Sequence, residues 1–161
     1  MPMLKLAALD AEDLAVLSSQ IQDAVVKVGA VNWIQSEGRI VMSMHRFAWE
    51  EALQKRGFFG PKPTYERHQA VLHFDRVTSV KARNIRMDAK EAVLNMLAIT
   101  FEQNEEGPDG YVSIIFAGDA ELRIGVECIE AQLTDTGGAW ETENLPEHEA
   151  AETFDPNMQT G

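Results

Sequence analysis

The stretch RIVMSMHRF, Arg39–Phe47, decides the fold class. Ile40, Met42 and Met44 alternate with Val41, Ser43 and His45, the period of two that sends successive side chains to opposite faces of a strand. RHQAVLHFD, Arg67–Asp75, repeats the pattern. His68, Ala70, Leu72 and Phe74 share one face, and Gln69, Val71 and His73 share the other. Working outward, Val25–Ile34 reads as a strand with a break at Gly29, and Gln35–Gly38 as the turn into Arg39. Val77–Arg83 continues as a strand after a kink. Asp88–Val93 reads as a short helical turn. A meander follows: Val93–Phe101, Tyr111–Phe116 and Leu122–Val126, joined by the turn-rich stretches Asn104–Gly110 and Gly118–Asp119. Val93, Asn95, Leu97, Ile99 and Phe101 are expected on one face. Cys128–Asp135 fits strand and helix spacing alike, with Gly137–Gly138 ending it.

Ahead of the strands the period is helical. Leu14, Leu17 and Ile21 make one stripe over Asp10–Gln22, and Asp10 is a good N-cap because its carboxylate can accept an unpaired helix N–H. Glu12 and Asp13 suit the positive end of the helix dipole. Leu9 is placed to staple onto the stripe. Glu50–Arg56 reads as a helical turn or two, followed by a Gly- and Pro-rich loop holding Phe58 and Phe59. The fold class is α+β: an N-terminal helix, then a curved, mostly antiparallel sheet of about six strands forming a half-barrel. A pleckstrin-homology-like barrel has similar strand content. Residues 1–139 form one domain, and residues 140–161 an acidic, disordered tail.

The chain has 161 residues and a formal net charge of −12. The charge is uneven. Residues 39–90 hold 11 basic and 5 acidic groups, residues 91–139 hold 1 and 10, and residues 140–161 hold 6 acids and no base. One cysteine, Cys128, leaves no intramolecular disulfide framework. No apolar run approaches the ~20 residues of a membrane span. Met1–Lys5 lacks the basic and apolar regions of a secretory signal. A cytoplasmic protein without membrane contact is the expectation.

The segments LAVLSSQIQDAVVKVG (Leu14–Gly29), LHFDRVTSV (Leu72–Val80), LAITF (Leu97–Phe101) and IGVECIEAQLTD (Ile124–Asp135) resemble a family of small uncharacterised alphaproteobacterial proteins, catalogued as a domain of unknown function. The resemblance spans most of residues 4–137. It implies a bacterial cytosolic protein of one domain, and it transfers no catalytic or binding residue.

Familiar chemistry is sparse. His68 and His73 are five residues apart, so a regular strand sends them to opposite faces. There is no His-x-His, no His-Glu-x-x-His and no second cysteine, so no metal is expected. Glutamates flank Cys128 and would raise its thiol pKa. Ser18–Ser19 lies in the helix and lacks the strand–turn–helix setting of a nucleophile elbow. Gly57–Gly60 lacks the Lys-Ser/Thr ending of a phosphate loop, and no cofactor motif is present.

Two readings follow. The first is a non-enzymatic interaction or regulatory domain with a protein partner. Its contact surface is the basic, aromatic-interleaved centre: Arg46, Trp49, Phe58, Phe59, Arg76, Lys81, Arg83 and Arg86. The second is a small-molecule binder or enzyme with His45, Arg46, His73 and Arg76 converging in the barrel mouth. Nucleic acid is the weaker partner, since such modules usually have a basic overall balance. The basic centre also has a plain use, pairing with the acidic 91–139 strands across the sheet.

Overall fold

The computed structural model describes residues 3–47 and 66–141. In chain order these form β1 (Lys5–Ala8), α1 (Ala11–Gln20), β2 (Val25–Lys27), β3 (Val31–Ile34), β4 (Arg39–Phe47), β5 (Glu66–Phe74), β6 (Val77–Arg83), β7 (Val93–Gln103), β8 (Gly110–Phe116), β9 (Ala120–Val126) and β10 (Ala131–Glu141). The strands pair antiparallel in the order β1-β10-β5-β4-β2-β7-β8-β9-β6, with β3 on the same side of β4 as β2. No helix among the described residues is long and apolar enough to cross a membrane.

The sheet has to fold over on itself. β5 lies mid-order and β6 at the end, yet only Asp75 and Arg76 join them. The corner is tied by three backbone hydrogen bonds: the Asp75 N–H donates to Glu130 O, the Val77 N–H to Gly38 O, and the Glu127 N–H to Arg76 O, all at 2.8–2.9 Å. Arg76 turns it with φ +60°. The fold-over lets both halves of the sheet enclose one apolar core, from Met42 and Leu72 on one side to Ile114 and Ile124 on the other. The strand order is not closed into a ring.

Several expectations are corrected. The sheet has ten strands rather than about six, and one of them, β1, precedes the helix. Four residues of β1 carry too little alternation to be seen alone; its place comes from pairing with β10, Leu6 opposite Leu133. The face assignment in β7 fails because a bulge between Met96 and Ala98 shifts the register, and one extra residue inverts the alternation beyond it. Met96 and Ile99 are therefore both buried, while Leu97 and Val93 are exposed. Gly137–Gly138 does not end its element: β10 shifts register between Asp135 and Ala139 and runs on to Glu141. Cys128–Asp135 resolves as a strand entry, and residues 88–92 form turns rather than helix.

Helix α1 is as the spacing implies. Asp10 caps it, accepting from the Asp13 N–H at 2.8 Å, and Leu14, Leu17 and Ile21 are buried. Leu9 is 68% exposed, so the staple does not form. A 10-residue helix is marginal by itself. It is held by packing against β1 and β7 and by Ser18, whose Oγ accepts the Ile99 N–H at 2.9 Å just past the bulge.

Candidate functional site

Arg46, His68 and Asp135 meet where the core ends. The inward row of β4 runs Ile40, Met42, Met44, Arg46, and that of β5 runs Phe74, Leu72, Ala70, His68, in register. The inward row of β10 runs Ala131, Leu133, Asp135. At this end of all three strands the apolar row becomes charged. Arg46, Asp135 and His68 are 0%, 2% and 3% exposed, so every polar atom must be paired or pay desolvation.

The pairing centres on the carboxylate. Arg46 Nε donates to Asp135 Oδ1 at 2.8 Å and Nη2 to Oδ2 at 2.9 Å, a two-pronged fork. His68 Nδ1 lies 3.0 Å from Oδ2, and the Leu4 N–H donates to the same oxygen at 2.9 Å. Arg46 Nη1 donates to Phe47 O at 2.9 Å, and the Asp135 N–H to Leu4 O at 2.9 Å. Burial alone would raise the Asp135 pKa. The hydrogen bonds from Arg46, then His68, then Leu4 outweigh it and hold the carboxyl below its ordinary value. Three of the four donors fall on Oδ2 and one on Oδ1, so the carboxylate is held mainly through Oδ2. What it can do is fasten β4, β5, β10 and the residue before β1 to one another.

The outer face of the same strands is different. His45 and Phe47 of β4 and Arg67 of β5 point away from the core, beside Val25 and Lys27 of β2. The Arg67 guanidinium stacks 3.9 Å from the centroid of the Phe47 ring. Burial, then the positive charges of Arg67 and Lys27, push the His45 pKa down, and burial pushes Arg67 down as well.

A third locus is the β5–β6 corner, a cleft of about 340 Å³ lined by Glu37, Arg39, Asp75, Arg76, Glu127 and Glu130. Arg39 Nε is 2.6 Å from Asp75, His73 Nε2 is 3.5 Å from Asp75, and Arg76 Nε is 3.7 Å from Glu130.

The sequence-derived residues are thus dispersed. His45 and Arg46 lie on opposite faces of β4, and His73 and Arg76 lie at the far end of β5, so the structure does not bring these four together. His68 and His73 do take opposite faces. Arg46 is buried, Arg76 lines the corner cleft, and Lys81, Arg83 and Arg86 lie on β6 and the turn after it. Trp49, Phe58, Phe59, the Glu50–Arg56 turn and the tail beyond Glu141 lie outside the described residues. Arg83 reaches Glu121 at 3.1 Å and Asp119 at 3.3 Å, and Arg86 reaches Asp88 at 3.6 Å. The basic segment is thus partly spent on acidic neighbours.

Sequence reasoning missed Asp135 and the inward role of Arg46 and His68. The signal was present: each occupies a core-phase position in an alternating row. A charge at such a position needs a buried counter-charge. Among the described residues no three His, Cys, Asp or Glu side chains are grouped to hold a metal ion. Comparison with curated proteins and with solved structures gives no match. A family model matches residues 4–148, nearly the whole chain, and the protein belongs to that family, DUF2948, whose description is a protein of unknown function.

Proposed function

We propose that the protein is a non-enzymatic interaction domain of the cytosol that pairs an extended acidic segment of a partner protein with the open edge of β6. One observation carries this reading. Among the described residues β6 pairs with β9 alone, and Lys81, Ala82 and Arg83 along it are exposed, with Arg86 exposed just beyond. An open edge presents unpaired N–H and C=O groups that a partner strand can complete. Its charge selects the strand. Lys and Arg discourage a second copy of the same edge and attract carboxylates. The burial of Asp135 against Arg46, His68 and the Leu4 N–H supports the non-enzymatic side, since this buried ionic group ties strands together.

The test is titration of isotope-labelled protein with extended peptides that alternate Glu with Val. Amides of Ser79–Arg83 should shift and gain hydrogen-exchange protection. Lys81→Glu with Arg83→Glu should abolish both at an unchanged melting temperature. Protection elsewhere, binding that survives the reversal, or an oligonucleotide that binds in the peptide's place would each defeat the proposal. The corner cleft favours a second reading, a small-molecule site that uses Arg76, with His73 behind Asp75 and without His45 or Arg46. Its four carboxylates against two guanidinium groups suit a cationic or zwitterionic ligand. A metabolite-induced rise in melting temperature, lost in Arg76→Ala, is its expected mark.

A further inference from the structure

Seven arginines lie among the described residues, and six have a carboxylate within ion-pair distance. The seventh is Arg67. It is half-buried, its Nη1 is buried and donates no hydrogen bond, and its guanidinium carbon lies over the Phe47 ring, 3.9 Å from the centroid. His45 is its diagonal neighbour on β4, about 7–8 Å away in such a pairing. Lys27 is the diagonal neighbour of His45 on the other side, and its ammonium is 3.2 Å from the exposed Glu91. Asp23 is the acid whose charge reaches Arg67.

We propose that Arg67, stacked on Phe47 and flanked by His45 and Lys27, is the anchor of a binding site for an oxyanion, the carboxylate or phosphate group of a ligand, on the outer face of β2, β4 and β5. This site is separate from the β6 edge. A guanidinium presents donors in a planar fork matched to two oxygens, and a ring beneath it fixes the plane. A half-buried cation that donates too few hydrogen bonds pays desolvation without return, and an oxyanion supplies the return. Burial first, and then the charges of Arg67 and Lys27, lower the His45 pKa, so both cations act at this spot.

The oxyanion has two available sources. One is a free small anion. The other is this chain: β10 pairs Trp140 with Arg67 and Glu141 with Glu66, and the sequence that follows carries Glu143, Glu147, Glu149, Glu152 and Asp155. Carboxylates tethered on the same chain act as a high local concentration.

The experiment follows the His45 imidazole pKa and the Arg67 Nε–Hε resonance by NMR in the full chain, at matched ionic strength. For a free anion, inorganic phosphate should move both resonances saturably and raise the His45 pKa by about half a pH unit. For the chain's own carboxylates, phosphate should do little until those five acids are changed to Gln and Asn. That change should lower the His45 pKa and restore the phosphate response. In either case Arg67→Gln should remove the response. Arg67→Lys, which keeps the charge but not the fork, should weaken it at least tenfold. The proposal is overturned if neither phosphate nor neutralisation moves these resonances, or if Arg67→Gln responds like the wild type.

Discussion

Asp135→Asn is the sharpest probe of the structure. The substitution keeps the shape of the side chain, so the backbone of β10 has no steric reason to move. It removes the charge and turns one acceptor into a donor. Four donors now converge on the wild-type oxygens: Arg46 Nε and Nη2, His68 Nδ1 and the Leu4 N–H. An amide sets its NH₂ against at least one of them and takes from the fully buried Arg46 the carboxylate it forks onto. Breaking a buried pair from one side costs about 3–5 kcal/mol. For a chain of this length each kcal/mol lowers the melting temperature by about 3 °C, so a loss of roughly 10–15 °C is expected. Thermal unfolding followed by circular dichroism measures the shift, and urea unfolding the free energy.

The same experiment has an acid limb. The folded-state pKa of Asp135 lies below its unfolded value. The stability it confers is therefore complete above the unfolded value of about 3.9 and is lost as pH falls through the folded one. The gap between wild type and Asp135→Asn should be constant at neutral pH and should narrow only below about pH 4. A joint replacement, Arg46→Met with His68→Leu and Asp135→Leu, removes the charges together and should cost less than Asp135→Asn alone. If Asp135→Asn lies within about 1 kcal/mol of wild type at pH 7, or if the gap ignores acid, the carboxylate is not the fastening described.

Ser18→Ala should cost about 1–2 kcal/mol, because the Ile99 N–H loses its acceptor beside the β7 bulge. Ser19→Ala, whose hydroxyl only bonds back to Val16 O on an exposed face, should stay within about 0.5 kcal/mol in the same urea assay. His45 has a folded pKa held below its ordinary value by burial and by Arg67 and Lys27. The unfolded chain therefore takes up the proton first, and the wild type should lose stability as pH falls below about 6.5. His45→Gln should flatten that slope in melting curves; an unchanged slope would exclude His45 as its source.

The elements with strong local pattern were legible in the sequence. Arg39–Phe47 and Val77–Arg83 coincide with β4 and β6, and the Gly29 break separates β2 from β3. What escaped was non-local. β1 is a strand because β10 is beside it, and the β7 faces depend on a bulge that pairing with β8 creates. The ionic core needed the registers of β4, β5 and β10 together, since Arg46, His68 and Asp135 are up to 89 residues apart. Each was visible as a charge in an apolar row, but no row names its partner. The corner cleft joins Glu37 and Arg39 to Glu127 and Glu130 through a fold-over that no local pattern encodes.

That fold-over also explains the charge asymmetry. Had consecutive strands simply paired, β5 and β6 would adjoin and their cations would repel. Instead the order sets β6 against β9, so Arg83 meets Glu121, and the corner sets Arg76 beside Glu130. Runs of one sign in sequence thereby become alternating signs in space, which a sheet favours and a linear reading cannot show. The cancellation is local, and it leaves remainders. Lys81 lies opposite Arg123, which leans away onto the Tyr111 ring, 4.4 Å from its centroid. Arg67 sits over Phe47, with the charge of Asp23 reaching it. In a chain with twelve net negative charges, cations left over after such thorough pairing are the places where an outside anion has something to gain. One lies on the open β6 edge and the other beside the exit of β10, which is why the two proposed contacts fall there and not on the buried triad.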